Sequence, residues 1–203
     1  MIATVHIVDD DVDVRESLKW LLESIDLNVK TYEDAVVFLE EISQEEEGIG
    51  CVILDVRMPR MSGINAHKKM LENKINLPII MISAHGSIDM AVSAMVTGAK
   101  IFLEKPFDDQ VLIEQVQSAL NESQQEYAKK QDRLKLIERY NGLTKREIQI
   151  FQHVVQGFSN QEIADELKIS RKTVEGHRAN MIHKMKAGSL ADLIHFSVVL
   201  EDA

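Results

Sequence analysis

Short apolar runs recur through the first 125 or so residues. Each is followed by a stretch whose apolar positions lie three and four apart. Five-residue runs bounded by turn residues suit strands, and three/four spacing marks one face of a helix. The pattern predicts strands over 4–8, 28–31, 50–55, 78–83 and 100–104, and helices over 12–24, 33–41, 63–72, 87–97 and 108–123. Val14, Leu18, Leu21, Leu22 and Ile25 form the apolar stripe of the first helix. Alternating strands and helices predict a parallel α/β sheet. The acidic run Glu45–Glu47 reads as a solvated loop before the third strand.

The rhythm then changes. Residues 121–139 are polar, with no Pro or Gly before Asn141-Gly142, as expected of a helical linker. Beyond that pair only helical signals follow, over 144–156, 160–167, 170–186 and 189–199. The expected organisation is an α/β domain over 1–123, a helical linker over 124–140 and a small all-α domain over 141–203.

Charge sharpens this division. The net charge is −10, and all of it lies in residues 1–140, with 15 Lys/Arg against 25 Asp/Glu. Residues 141–203 carry 8 of each. Within 170–186 there are five basic residues and one acid, Glu175, a local footprint for nucleic acid inside an acidic chain. The single cysteine, Cys51, forms no internal disulfide and suits a reducing compartment. No signal segment or membrane-length apolar run is visible, so the expected setting is the cytoplasm, away from membranes.

Chemistry gathers at the strand ends. Asp55 closes one apolar run, Asp9, Asp10 and Asp11 follow another, Ser83 ends a third, and Lys105 follows a fourth. In a doubly wound parallel sheet these positions meet at the carboxyl edge. Mg²⁺ prefers one or two carboxylates, phosphate oxygens and retained waters. Asp10 and Asp55 could supply the carboxylates, with Asp9 acting through water. Lys105 could neutralise a phosphoryl oxygen, and Ser83 could donate to another. Each residue also has a plainer reading: Asp9–Asp11 as caps of the following helix, Asp55 as a turn former, Phe102 as a core aromatic.

Val8-Asp9-Asp10-Asp11, Leu54-Asp55-Val56-Arg57-Met58-Pro59, Met61-Ser62-Gly63, Ser83-Ala84-His85-Gly86 and Phe102-Leu103-Glu104-Lys105-Pro106-Phe107 together resemble the receiver domain of bacterial two-component response regulators. The resemblance implies a flavodoxin-like (βα)5 fold, with Asp55 taking phosphate from a sensor histidine kinase. It implies Mg²⁺ on Asp10, Asp55 and the main-chain carbonyl of Arg57, assisted by Asp9. It makes Ser83 and Phe102 the hydroxyl and aromatic switch positions, Lys105 the phosphate-binding lysine, and Lys105-Pro106 a cis peptide.

In the C-terminal part, 160–167, a break at Lys168-Ile169-Ser170, and 171–186 read as helix-turn-helix. Ser159 or Asn160 can cap the first helix and Ser170 the second. Val174, Met181, Ile182 and Met185 form an apolar face. Lys172, Gly176, Ala179, Asn180 and His183 lie opposite. A mid-helix glycine costs about 1 kcal/mol relative to alanine. Gly176 therefore marks either a close approach to DNA or a tolerated neutral choice.

Leu143-Thr144-Lys145-Arg146-Glu147, Ser159-Asn160-Gln161-Glu162-Ile163-Ala164 and residues 170–178 resemble the LuxR-type DNA-binding domain, with Lys145 standing where that family often has proline. By resemblance, 170–186 enters the major groove of double-stranded promoter DNA. Glu175, Gly176 and Ala179 match base-facing positions. Lys172, Thr173, His177 and Lys184 are candidates for phosphate contacts, and Asn180 is a further candidate for base reading. Arg178 is left between DNA contact and pairing with a nearby acid. The last helix, with Leu190, Leu193, Ile194 and Val198, joins DNA-bound dimers in this family.

The two resemblances together identify a response regulator of the NarL/FixJ type, not an enzyme beyond slow loss of its own phosphate. They imply a transcription factor, read as an activator, that dimerises on phosphorylation, through its fourth helix and fifth strand or by releasing its reader, and engages RNA polymerase. A Mg²⁺-dependent phosphotransfer or phosphatase-type protein using Asp55 without DNA output is the alternative.

Overall fold

Strand β3 (Gly50–Asp55) is buried at all six positions, as a central strand covered on both faces must be. The computed structural model describes residues 3–43 and 48–201, so the acidic run Glu45–Glu47 lies outside the described residues. The chain divides into two compact units, 1–127 and 128–203.

In the first unit, β1 (Thr4–Val8), β2 (Asn28–Tyr32), β3, β4 (Ile79–Ser83) and β5 (Ile101–Glu104) form one sheet in the order β2-β1-β3-β4-β5. Every pairing is parallel. Helices α1 (Val12–Glu23), α2 (Ala35–Ile42), α3 (Gly63–Glu72) and α4 (Ile88–Thr97) connect successive strands, and α5 (Asp109–Asn141) follows β5.

Side chains alternate across the sheet along each strand. Val52 and Leu54 of β3 join Val8, Phe38, Ala66, Met70 and Met81 in one core cluster. Cys51 and Ile53 join Val5, Ile7, Leu18, Leu22, Leu112 and Val116 in the other. These cores place α2 and α3 on one face, and α1 and the first turns of α5 on the opposite face. The α/β architecture expected from the alternating pattern is observed.

The element limits differ from expectation where side chains cap. Asp34, expected inside a helix, caps α2 instead by accepting the backbone N–H of Val36 at 2.7 Å and of Val37 at 3.1 Å. Helix α5 runs without a break from the last receiver helix through the expected helical linker to Asn141.

The second unit gathers the last turns of α5 with α6 (Lys145–Val155), α7 (Asn160–Leu167), α8 (Arg171–Met185) and α9 (Leu190–Glu201). Leu136, Ile150, Phe151, Val154, Ile163, Val174, Met181, Met185 and Leu193 form its core. Thr144 with Glu147, and Ser159 with Glu162, build reciprocal capping boxes at the starts of α6 and α7. Ser159 is thus the cap where the sequence left two choices. Ser170 caps α8 through the Thr173 N–H at 3.0 Å. None of the described helices is long and apolar enough to cross a membrane.

Candidate functional site

The sheet order reverses between β1 and β3, where a doubly wound sheet opens a crevice at its carboxyl edge. Asp9 follows β1 and Asp55 ends β3, and both are buried, at 1% and 4% exposure. Lys105, just past β5, reaches across. Its ammonium donates to Asp9 Oδ2 at 2.6 Å and to Asp55 Oδ1 at 2.8 Å. Asp55 Oδ2 accepts the Arg57 backbone N–H at 2.6 Å, and Asp9 Oδ1 accepts that of Asp11 at 3.0 Å. Asp11 in turn caps α1.

Two buried carboxylates therefore share one ammonium. Burial pushes the Asp55 carboxyl above its ordinary range, and the Asp9 charge adds to this, against the pull of Lys105 and the Arg57 N–H. Burial alone would lower Lys105, but its bonds to Asp55 and Asp9 hold its pKa above the usual lysine range. The pocket keeps a surplus of negative charge in a poorly solvated place. That surplus suits a divalent cation.

Among the described residues no three or more His, Cys, Asp or Glu side chains come together as a metal-holding group. Asp10, beside Asp9 in the chain, is exposed. A cation that keeps most of its waters and takes few carboxylates, as Mg²⁺ does, fits this donor set better than one needing an all-protein cage.

Ser83 is fully buried at the end of β4, where its Oγ accepts the His85 N–H at 3.4 Å. Phe102 is half-buried on β5 and packs on the α2/α3-side core. A Cβ at Gly86 would lie 2.9 Å from Phe102 Cε1, so the absent side chain at Gly86 makes room for the ring. The Lys105-Pro106 peptide is cis.

Sequence reasoning missed two supports of the loop after Asp55. A Cβ at Gly63 would stand 2.2 Å from the Asp55 carbonyl oxygen, so only glycine lets α3 begin there. Its place in Met61-Ser62-Gly63 was the available signal. Arg60, with φ +64°, forms an ion pair with the buried Asp34 that caps α2. No local pattern announces that pairing.

Helix α8 places Val174, Met181 and Met185 in the core, with Ile182 partly buried beside them. Lys172, Thr173, Glu175, Gly176, Ala179, Asn180 and His183 are exposed, and His177 is half-buried. Arg171 Nε donates to Glu175 Oε1 at 3.0 Å. Arg178, expected at DNA or an acid, donates instead to the amide oxygen of Asn160 at 2.7 Å. Lys184 pairs with Glu147 Oε2 at 2.7 Å.

Residues 5–117 match the family described as response regulator receiver domain, and residues 141–197 match the bacterial regulatory proteins of the luxR family. The response regulator protein TmoT of Ectopseudomonas mendocina is 42% identical over 99% of this chain and 90% of its own. The transcriptional regulatory protein FixJ of Rhizobium meliloti (strain 1021) is 41% identical over 96% and 95%. The solved structure of the response regulator StyR superposes with a TM-score of 0.86 at 38% identity, covering 100% of both chains. The chain belongs to the two-component response regulators that join a receiver to a LuxR-type DNA-binding domain. A phosphotransfer protein without a DNA-binding output does not fit that membership.

Proposed function

We propose that Asp55 accepts a phosphoryl group from a sensor histidine kinase, and that the phosphorylated chain dimerises on promoter DNA and activates transcription. The observation that carries this reading is the meeting of Asp9, Asp55 and Lys105 at one sheet edge. In the transfer, an Asp55 carboxylate oxygen attacks phosphorus, and the O–P bond forms as the P–N bond to the kinase imidazole breaks. The Lys105 ammonium, already 2.8 Å from Asp55, shifts to a phosphoryl oxygen. Ser83 turns its hydroxyl to another. Asp10, Asp55, the Arg57 carbonyl and, through water, Asp9 would hold Mg²⁺. When bound, the ion would screen the repulsion between carboxylate and phosphoryl group.

Once Ser83 moves, Phe102 can fill the space it leaves, and the surface of α4 and β5 is repacked. Helix α4 exposes Ile88, Val92, Met95 and Val96 at helical spacing, which supports pairing of receivers through this face. Leu190, Ile194 and Val198 are similarly exposed on α9 and support pairing of the readers on two-fold sites. We assign the receiver to 1–123, the linker to 124–140 and the reader to 141–203, in a cytoplasmic protein.

For DNA, Lys172, Thr173 and His177 are assigned to phosphates, and Glu175, Gly176, Ala179 and Asn180 to the groove face of α8. RNA polymerase is the expected downstream partner.

The test measures promoter-fragment binding and oligomeric state with and without a small phosphodonor and Mg²⁺, for wild type and Asp55→Ala. Phosphodonor-dependent dimerisation and tighter binding, both lost in Asp55→Ala, are expected. Equal DNA binding in every condition would leave a DNA-binding protein not controlled through Asp55.

A further inference from the structure

Glu147 is 3% exposed, yet it carries a carboxylate in the first turn of α6. Its Oε2 accepts the Thr144 backbone N–H at 2.8 Å, completing the capping box. The same oxygen accepts Lys184 Nζ, from the last turn of α8, at 2.7 Å. Lys184 also donates to the carbonyl of Gly142, just before α6, at 3.4 Å. One ammonium thus ties the end of α8 to the start of α6.

Burial alone would raise the Glu147 pKa. The bonds from Lys184 and from the Thr144 N–H overcome this and hold it below the usual carboxylate range. A buried carboxylate stripped of its cation is strongly unfavourable. Were Lys184 to swing out to a phosphate, it would leave that charge uncompensated inside the domain. Lys172 and Lys184 are both exposed, but only Lys184 is bonded to a buried carboxylate; Lys172 lies on the outward face of α8.

We propose that Lys184 makes no phosphate contact, and that Glu147 and Lys184 are positioning residues that hold α8 at its angle to α6. This rests on the reading of α8 as the helix that enters DNA. The pair separates the two kinds of lysine on one basic helix: those that hold DNA and one that holds the helix.

The experiment follows binding of the full-length chain to a 40-base-pair mixed-sequence duplex across a salt series, for wild type, Lys172→Met and Lys184→Met. Each lost phosphate contact lowers the slope of log K against log salt by about 0.9. Lys172→Met is expected to show that loss, and Lys184→Met to keep the wild-type slope while its melting temperature falls.

Should Lys184→Met fold poorly, amine acylation of the wild type, read by mass spectrometry, gives a second measure. Lys184 is expected to label more slowly than Lys172, to gain no protection from the duplex, and to label faster in Glu147→Gln. A slope lowered by about one in Lys184→Met, or a Lys184 that labels as fast as Lys172 and is shielded by DNA, overturns the proposal. A wild type that binds no duplex even at low salt removes the DNA reading of α8 itself, and the proposal with it.

Discussion

Lys105 stands 2.8 Å from Asp55 Oδ1 and 2.6 Å from Asp9 Oδ2, one ammonium between two buried carboxylates. The arrangement is unbalanced in charge, and the imbalance falls on Asp55, whose carboxyl burial holds above its ordinary range. A group with a raised folded pKa favours the folded state below its unfolded pKa and loses that contribution as pH rises through the folded one. Ionised Asp55 therefore opposes folding at neutral pH.

Asp55→Asn is expected to abolish phosphorylation and yet stabilise the receiver, by about 0.5–2 kcal/mol, the size of an ordinary stabilising substitution. The gain over wild type is absent well below the ordinary carboxylate range and grows as pH rises towards neutrality. Thermal unfolding of both proteins across a pH series checks it. A gain that shrank with rising pH would mean that Lys105 more than balances Asp55.

The same surplus charge predicts stabilisation by Mg²⁺. A ligand at about 100 times its Kd stabilises the state it binds by about 2.7 kcal/mol. Adding Mg²⁺ to chelator-treated protein should raise the melting temperature of the receiver by several degrees. In Asp9→Asn and Asp55→Asn the rise should largely vanish. A rise equal in all three proteins would place the ion elsewhere.

The strand ends were legible in the sequence because a parallel sheet sends every carboxyl end to one edge, so residues far apart in the chain share a predictable neighbourhood. Strand β3 and helix α3 have the limits that the pattern predicts. What the sequence hid were pairings between elements. Ser123 accepts the Gly50 N–H across 73 residues, and Glu147 meets Lys184 across 37. Periodicity assigns a face to a residue but does not name the partner across it. Arg178 shows the same limit: the sequence left it between DNA and a nearby acid, but its acceptor is the Asn160 amide. The continuation of α5 past residue 123 was legible as a helical linker. The apolar stripe of the receiver ends there, while the backbone, with no Pro or Gly, has no cause to stop.

Gly86 governs where the Phe102 ring rests. A methyl group there would press on Cε1 at 2.9 Å, so Gly86→Ala displaces the ring from its observed position. Overpacking typically costs about 1–3 kcal/mol. Falling on the resting conformation alone, that cost would raise the phosphate-independent active population about tenfold or more. Sedimentation of Gly86→Ala without phosphodonor should show more dimer than wild type. Unchanged sedimentation with unchanged phosphodonor response would mean that the ring adjusts without moving the switch.

Gly176 poses the opposite problem, since nothing within the domain needs it. It lies inside α8, exposed, and a Cβ there would meet no atom within 4 Å. On helix propensity alone, Gly176→Ala should stabilise the reader by about 0.8–1.0 kcal/mol. If the glycine admits a close approach of the α8 backbone to the groove, the same methyl group should weaken promoter binding. Because a steric loss involves no charge, the salt slope should stay as in wild type. Melting temperature, promoter affinity and salt slope measured on one variant separate the cases. Higher stability with weaker binding supports close approach. Higher stability with unchanged binding makes the glycine a neutral choice, and the groove face of α8 then reads DNA through Glu175, Lys172 or Asn180.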